Sequence, residues 1–230
     1  MMANFLKQIF QRRKTADVRP PTPLSYLDEY YNSYIWKHVQ YHGIRTLKFV
    51  PDLWNYQEII FERRIDYVIE TGTRHGGSAL FFADTLAARN KDGLVISIDV
   101  ADTDRQVKAD ERIHFLIGDS SSVEIANKIE ALLPESRRPG STFWILDSDH
   151  SKSHVLAELN RLVPLMKSGD YLIVEDTCIN GHSVRPEFGP GPWEAVEQYK
   201  QNNPDALLAD KVRETKFLYS FAPNGFYIRK

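Results

Sequence analysis

The sequence predicts an α/β fold, with a mostly parallel seven-stranded sheet, helices on both faces and an N-terminal helical extension. Three observations predict it. From residue 66 onward, short apolar runs alternate with stretches of helical period. The first run opens into a glycine-rich loop, Glu70-Thr71-Gly72-Thr73-Arg74-His75-Gly76-Gly77-Ser78. Five successive runs end in acidic residues: Glu70, Asp99, Asp119, Asp147, and Glu175 with Asp176. Repeated strand–helix units close most readily as a parallel sheet with crossover helices covering its faces.

Residues 1–23 form a tail and proline-rich linker in this scheme. Phe5, Leu6, Ile9 and Phe10 fall on one helical face, followed by Arg12-Arg13-Lys14 and then Pro20, Pro21 and Pro23. A face of this kind in residues 1–14 suits weak contact with a membrane surface or a partner. A frayed terminus is the more ordinary reading.

Residues 24–64 form an aromatic helical cap, with helices expected over Tyr26–His38 and Leu53–Arg63 and breaks at Gly43 and Pro51. Aromatics at this density are core formers first. Trp54 and Tyr56 are nevertheless candidate walls of a pocket.

Residues 65–230 carry the α/β domain. Strands are expected at Asp66–Glu70, Leu94–Asp99, Ile113–Ile117, Thr142–Leu146 and Tyr171–Val174, with a closing hairpin of Phe217–Phe221 and Phe226–Arg229 around Pro223-Asn224-Gly225. Helices are expected at Ser78–Arg89, Ser122–Leu133, Ser151–Met166 and Trp193–Gln201.

Bulk properties narrow the function classes. The chain has 230 residues, 42% of them hydrophobic, which is enough for one sizeable core. Its net charge of −2 gives no sign of a nucleic-acid partner. Cys178 is the one cysteine, so a disulfide framework or cysteine-rich zinc site within the chain is excluded, and a reducing cytoplasmic setting fits. No apolar run approaches the roughly 18 residues of a spanning helix, and the N-terminus lacks the apolar stretch of a secretory signal.

In a parallel sheet the carboxyl ends of all strands lie on one edge, where doubly wound folds bind ligands. The acids that end these five runs therefore surround one crevice. Gly72, Gly76 and Gly77 permit close backbone approach, Thr73 lies in the same loop, and Ser78 can cap the following helix. Asp99, at the end of the second strand, is placed for ribose hydroxyls in NAD and S-adenosylmethionine sites alike. Glu70 favours the methyl donor, because a carboxylate accepts from an amino-acid ammonium and repels a pyrophosphate. Asp119 and Ser120, after the third strand, are placed to meet an adenine amino group. Simple loop capping by Glu70, Asp99 and Asp119 is the alternative.

Asp147, Glu175 and Asp176 come from neighbouring strand ends. Three carboxylates with open positions suit Mg²⁺ or another hard cation. Asp149 and Asp176 could instead merely cap the next turn. His150 can reach the same site as general base, and His182 is the second candidate. Either histidine could equally be a packing residue.

Together these blocks resemble the cephalosporin hydroxylase and rhamnosyl O-methyltransferase family. The resemblance runs from about Tyr30 to Tyr199. It is carried by the stretch Leu53 to Arg64, by Ile69-Glu70-Thr71-Gly72-Thr73, by Gly76-Gly77-Ser78-Ala79, by Asp147-Ser148-Asp149-His150 and by Tyr171 to Thr177. It implies a Rossmann-like class I methyltransferase fold that binds S-adenosyl-L-methionine. It further implies metal ligands at Asp147, Glu175 and Asp176, a basic residue beside the metal at His150, and donor contacts at Glu70, Gly72, Ser78, Asp99 and Asp119. Relatives often carry Asn at the position of Asp176, and the added charge favours divalent binding. The hydroxylase in the family name finds no support, since no spaced His-His-carboxylate triad or flavin pattern is evident.

The expected reaction is metal-assisted transfer of a methyl group to a hydroxyl of a sugar or secondary metabolite. The segment Cys178–Pro192 is expected to shape the acceptor pocket, with Arg185 and Glu187 as candidate readers of polar groups. The aromatic N-terminal layer leaves room for a homo-oligomer. Three alternatives compete. One is a donor-binding protein without catalysis. Another is a NAD-dependent oxidoreductase, weakened by Glu70. The third is a serine esterase suggested by Gly118-Asp119-Ser120 and Asp147 to His150, although these blocks sit close together in mid-domain and a nucleophile elbow is missing.

Overall fold

A computed structural model describes residues 23–230, so the expectations placed on residues 1–22, including the membrane-facing helix, lie outside the described residues. Ahead of the main sheet, α1 spans Pro23–Asn32 and a 3₁₀ turn spans Ile35–His38. The single helix expected over Tyr26–His38 is broken at Tyr34, whose φ of 58° is left-handed. A two-stranded ribbon follows, with β1 (Gln40–Tyr41) pairing antiparallel with β2 (Ile44–Arg45) around Gly43. Helix α2 runs from Val50 to Arg63 and so starts before Pro51 rather than after it. In a helix's first turn the missing proline N–H costs nothing, because that donor has no intrahelical acceptor.

The alternating region gives β3 (Tyr67–Thr71), α3 (Gly77–Arg89), β4 (Leu94–Asp99), β5 (Ile113–Ile117), α4 (Val123–Leu132), β6 (Thr142–Leu146), α5 (Lys152–Leu162) and β7 (Tyr171–Val174). A 3₁₀ turn, Val163–Leu165, takes over where α5 ends, short of the expected Met166. The serines before α4 and α5 cap them: Ser122 Oγ accepts from the N–H of Ile125, and Ser151 Oγ from that of His154. The chain closes with α6 (Pro192–Asn202), β8 (Leu207–Ala209), α7 (Lys211–Thr215) and β9 (Phe226–Arg229).

The main sheet has seven strands in the order β5-β4-β3-β6-β7-β9-β8. The first five in sequence are mutually parallel, and β9 pairs antiparallel with β7 and β8. The last hairpin is a correction. Phe217–Phe221 is not a strand, and Leu207–Ala209 pairs with β9 in its place. Leu218 is left-handed, with φ 69°, and Phe221 is drawn off the sheet to stack on Phe49 at 4.9 Å.

Strand side chains divide between the faces with a period of two. Ile69, Ile96, Trp144, Leu146, Leu172 and Val174 pack on one face with residues of α4, α5 and α6. Val68, Val95, Phe143, Ile145 and Ile173 pack on the other with residues of α2 and α3. A third cluster joins Leu27, Tyr30, Tyr31 and Phe49 to Cys178, Ile179, Val184 and Phe221, which fastens the N-terminal segment over the loop that follows β7. Strand order reverses between β3 and β6, so the site lies where their carboxyl ends part.

The first core is closely filled, and Leu159 is 0% exposed within it. Leu159→Ala is expected to destabilise the fold by about 2–5 kcal/mol in urea unfolding; a loss under about 1 kcal/mol would show that α5 contributes little to this core.

Candidate active site

A cleft of about 1080 Å³ opens at the reversal point. Its floor is built from loops after the parallel strands: Gly72, Thr73 and Ser78 after β3, Asp99 after β4, Asp119 and Ser120 after β5, Asp147 to His150 after β6, and Asp176 after β7. Register explains the convergence. Thr71 pairs with Leu146 and Leu146 with Val174, so Gly72, Asp147 and Glu175 leave the sheet side by side.

Close approach at Gly72 is obligatory. Its φ is +85°, and a Cβ there would lie 1.9 Å from the carbonyl oxygen of Asp147. Gly76, with φ 83°, begins α3. Ser78 does not cap that helix as expected. Its hydroxyl donates to Glu70 Oε1 at 2.8 Å, and Ser97 Oγ donates to the same oxygen at 3.3 Å. Thr73 Oγ1 lies 2.7 Å from Ser97 Oγ and completes this buried hydroxyl chain. Glu70 Oε2 is buried without a hydrogen-bond partner. Burial raises the Glu70 carboxyl to about 7, against the opposing pull of Lys48.

At the cleft's rim, Asp99 Oδ2 accepts from the backbone N–H of Arg74 at 2.8 Å. Asp119 Oδ1 accepts from the N–H and hydroxyl of Ser121 at 2.9 and 2.8 Å, which holds its carboxyl below the usual range. Both acids thus cap their loops and line the cleft as well. Ser120 turns inward, donating to Glu158 Oε1 at 2.5 Å, and Ser148 donates to the same oxygen at 2.7 Å. The esterase alternative fails on this geometry: the Ser120 hydroxyl is committed to a buried carboxylate, and the neighbouring imidazole, 3.3 Å away, is His154 rather than His150.

The acids expected to hold a metal are spread around a lysine. Lys48 Nζ donates to Asp147 Oδ2 at 2.6 Å and to Glu175 Oε1 at 2.9 Å, and Tyr56 OH donates to Glu175 Oε1 at 2.8 Å. Burial alone would lower the Lys48 ammonium, but Asp147 and Glu175 outweigh it and hold the pKa above the usual value. Burial pushes Asp147, Glu175 and Asp176 up, while Lys48 counters it most for the first two and His150 for the third. His150 Nε2 stands 3.2 Å from Asp176 Oδ2. Burial lowers its imidazole, yet the carboxylates of Asp176 and Asp147 leave it raised overall. Asp176 itself is left-handed, with φ 52°.

One ligand atom from each of Asp147, His150 and Asp176 lies within 4.8 Å of the others. Two carboxylates and an imidazole at that spacing fit a hard divalent cation that keeps several waters. Glu175, the other expected ligand, is turned to Lys48 and Tyr56.

Other expectations need correction. Tyr56 is 0% exposed and Trp54 is 61% exposed and not among the cleft's lining residues, so neither is a wall. The aromatic lining is Tyr31, Tyr34 and Trp36, with Phe188 and Ile179 lining the cleft as well. His182 does not line the cleft: its ring stacks on Trp193 at 4.2 Å, and Nε2 lies 2.6 Å from Glu194 Oε1. Asp149 caps the turn to Ser151 at 2.7 Å. Arg185 and Glu187 do line the cleft and pair with each other at 3.3 Å. Sequence reasoning missed Lys48 and Glu158. Each left a trace: Lys48 interrupts the apolar run Leu47 to Val50, and Glu158 falls on the buried stripe of Val155, Leu159 and Leu162.

A family described as Rhamnosyl O-methyltransferase/CmcI has a sequence model that matches residues 33–230. The chain is 42% identical over 231 residues to a rhamnosyl O-methyltransferase of Mycobacterium tuberculosis (strain ATCC 25618 / H37Rv), covering 100% of this chain and 91% of that one. It is 46% identical over 202 residues to the Mycobacterium leprae (strain TN) protein of the same name, covering 87% of each. Among solved structures, cmcI-D160 Mg-SAM superposes with a TM-score of 0.65 at 25% identity, covering 84% of this chain and 77% of that one. The CmcI-N160 apo-structure, at 24% identity and TM-score 0.66, shares the fold.

Two outcomes test the site's construction. Gly72→Ala should lower the melting temperature by forcing the β3 and β6 loops apart; an unchanged melting temperature would refute the close approach. Glu70 carries a folded pKa of about 7 against 4.5 for the free group. The folded state therefore keeps a proton that the unfolded chain gives up, and wild-type stability falls as pH rises from about 4.5 through 7. Glu70→Gln should gain on the wild type across that window, by on the order of 3 kcal/mol at most; parallel stability–pH curves would contradict it.

Proposed function

This chain belongs to the rhamnosyl O-methyltransferase/CmcI family, and we propose that it moves a methyl group from S-adenosylmethionine to a sugar hydroxyl, with a rhamnosyl unit as the first acceptor to test. The observation that carries the proposal is one cleft with two chemical halves. A glycine loop and the acids of β4 and β5 form one half, and Asp147, His150 and Asp176 form the other.

The residues divide the work as follows. Gly72, Thr73, Gly76 and Ser78 shape the donor loop, with buried Glu70 beneath it fixing the Ser78 hydroxyl. Asp99, Asp119 and Ser120 face the same half, where carboxylates suit the donor's hydroxyls and amines. Asp147 and Asp176 would hold the divalent cation, Mg²⁺ by their hard oxygens, with Glu175 behind them as third acid. When bound, the cation lowers the pKa of the acceptor hydroxyl and fixes its direction. His150, whose Nε2 stands 3.2 Å from Asp176 Oδ2, is placed to take the hydroxyl proton. The hydroxyl oxygen then forms its bond to the methyl carbon as the methyl–sulfur bond breaks, leaving the neutral thioether. Tyr31, Tyr34 and Trp36 supply an aromatic wall for the acceptor, so the stretch ahead of α2 caps the cleft while α2 itself packs on the sheet. Names of the curated relatives support the sugar acceptor.

Methyl-labelled donor, a rhamnosyl glycoside and mass spectrometry test the assignment directly. Label should reach the sugar and stop on adding a chelator. His150→Ala should lower kcat by about 10²–10⁴-fold with donor binding kept. Full turnover in chelator would remove the metal from the mechanism, and unchanged kcat would remove His150 as base.

A further inference from the structure

Lys48 is 3% exposed, and its ammonium sits between carboxylates from two strand ends. Its backbone has little freedom. Leu47 before it is left-handed, with φ 54°. Phe49 after it is 1% exposed, stacks on Phe221 at 4.9 Å and meets Tyr30 edge-on at 5.0 Å. The lysine is thus held by the aromatic cluster, and the sheet edge supplies what it binds. Glu70 also feels this ammonium.

One monovalent charge therefore serves acids that the proposed metal also needs. Asp147 Oδ2 is taken by Lys48 at 2.6 Å, while one ligand atom each of Asp147, His150 and Asp176 is gathered within 4.8 Å. A divalent ion at Asp147 would stand next to a buried ammonium, and like charges that close repel. We propose that Lys48 is a positioning residue for the metal site: a built-in counter-cation that holds Asp147 and Glu175 in place and that a divalent ion must compete with for Asp147. This rests on the reading of Asp147 as a metal ligand.

The sign of one measurement separates competition from simple scaffolding. Mn²⁺ binding to the full chain, followed by the electron paramagnetic resonance of the free ion, should tighten by roughly tenfold or more in Lys48→Met, because a positive neighbour is gone. Lys48→Arg, which keeps the charge, should stay close to wild type. In chelator Lys48→Met should melt below the wild type, and Mn²⁺ should restore it. Equal or weaker Mn²⁺ affinity in Lys48→Met, with the wild type binding well, overturns the competition and leaves the metal site standing. A wild type that binds no better than Asp147→Asn overturns the metal site and this proposal with it. Should Lys48→Met fail to fold, ¹⁵N-lysine labelling of the unmutated protein decides. The Lys48 Nζ resonance should move on adding Mg²⁺ while that of exposed Lys91, which does not line the cleft, stays, and an unmoved Lys48 signal overturns the proposal.

Discussion

Burial of like charges at one sheet edge is the constraint on which the site depends. Parallel pairing of β3, β6 and β7 brings Glu70, near the end of β3, and Asp147 and Glu175, just past the ends of β6 and β7, to one edge of the sheet, each little exposed or fully buried. Carboxylates so placed cannot all stay ionised without opposing charge or hydrogen-bond donors. The molecule answers each acid separately. Lys48 and Tyr56 meet Glu175, Lys48 meets Asp147, His150 meets Asp176, and two hydroxyls meet Glu70. Remove the lysine and the arrangement loses the one ammonium among the described residues that touches two of these strand ends.

This electrostatic frame explains why the N-terminal segment is packed where it is. Lys48 and Tyr56 both come from it, so the segment must reach across the carboxyl edge before the sheet's own acids are balanced. Its apolar anchors do that work: Tyr30, Tyr31 and Phe49 cluster with Cys178, Ile179 and Phe221. Asp52, on the same helix as Tyr56, accepts from the backbone N–H of Phe221 at 2.9 Å and ties the two regions again. On the opposite side Glu158 holds the loops after β5 and β6 together through Ser120 and Ser148. Groups held on both sides in this way lose little freedom when a ligand arrives, which favours catalysis by pre-arranged dipoles and charges.

The five parallel strands were legible because each is a short apolar run that ends in an acid, and both traits follow from a buried strand whose tip enters a polar crevice. The glycine loop was legible for a related reason: only glycine fits where Gly72 passes the Asp147 carbonyl. What escaped depended on partners distant in sequence. Lys48 bonds to residues about a hundred positions and more away, and a lone lysine among aromatics carries no mark of that. Ser78 was read as a helix cap, but a buried carboxylate on β3 competes for its hydroxyl and wins. Phe217 to Phe221 has strand-like composition, yet the pull of Phe221 into the aromatic cluster leaves the edge position to Leu207–Ala209. In each case tertiary contact overrode a sound local signal.

The same competition separates two neighbours on α2. Trp54 and Tyr56 are two positions apart, so a helix turns them about 200° from each other. Tyr56 points inward and spends its hydroxyl on Glu175, while Trp54 stays 61% exposed on the outer face. A helix packed on the sheet cannot also wall a cleft at the sheet's edge. That task falls to the irregular stretch ahead of it, where Tyr31, Tyr34 and Trp36 sit around a break in the helix at Tyr34. Irregular backbone can aim several aromatic rings at one space, which a regular helix face cannot do without giving up its core stripe. The sheet edge therefore supplies charge and register, and the segment before α2 supplies the apolar surface opposite it.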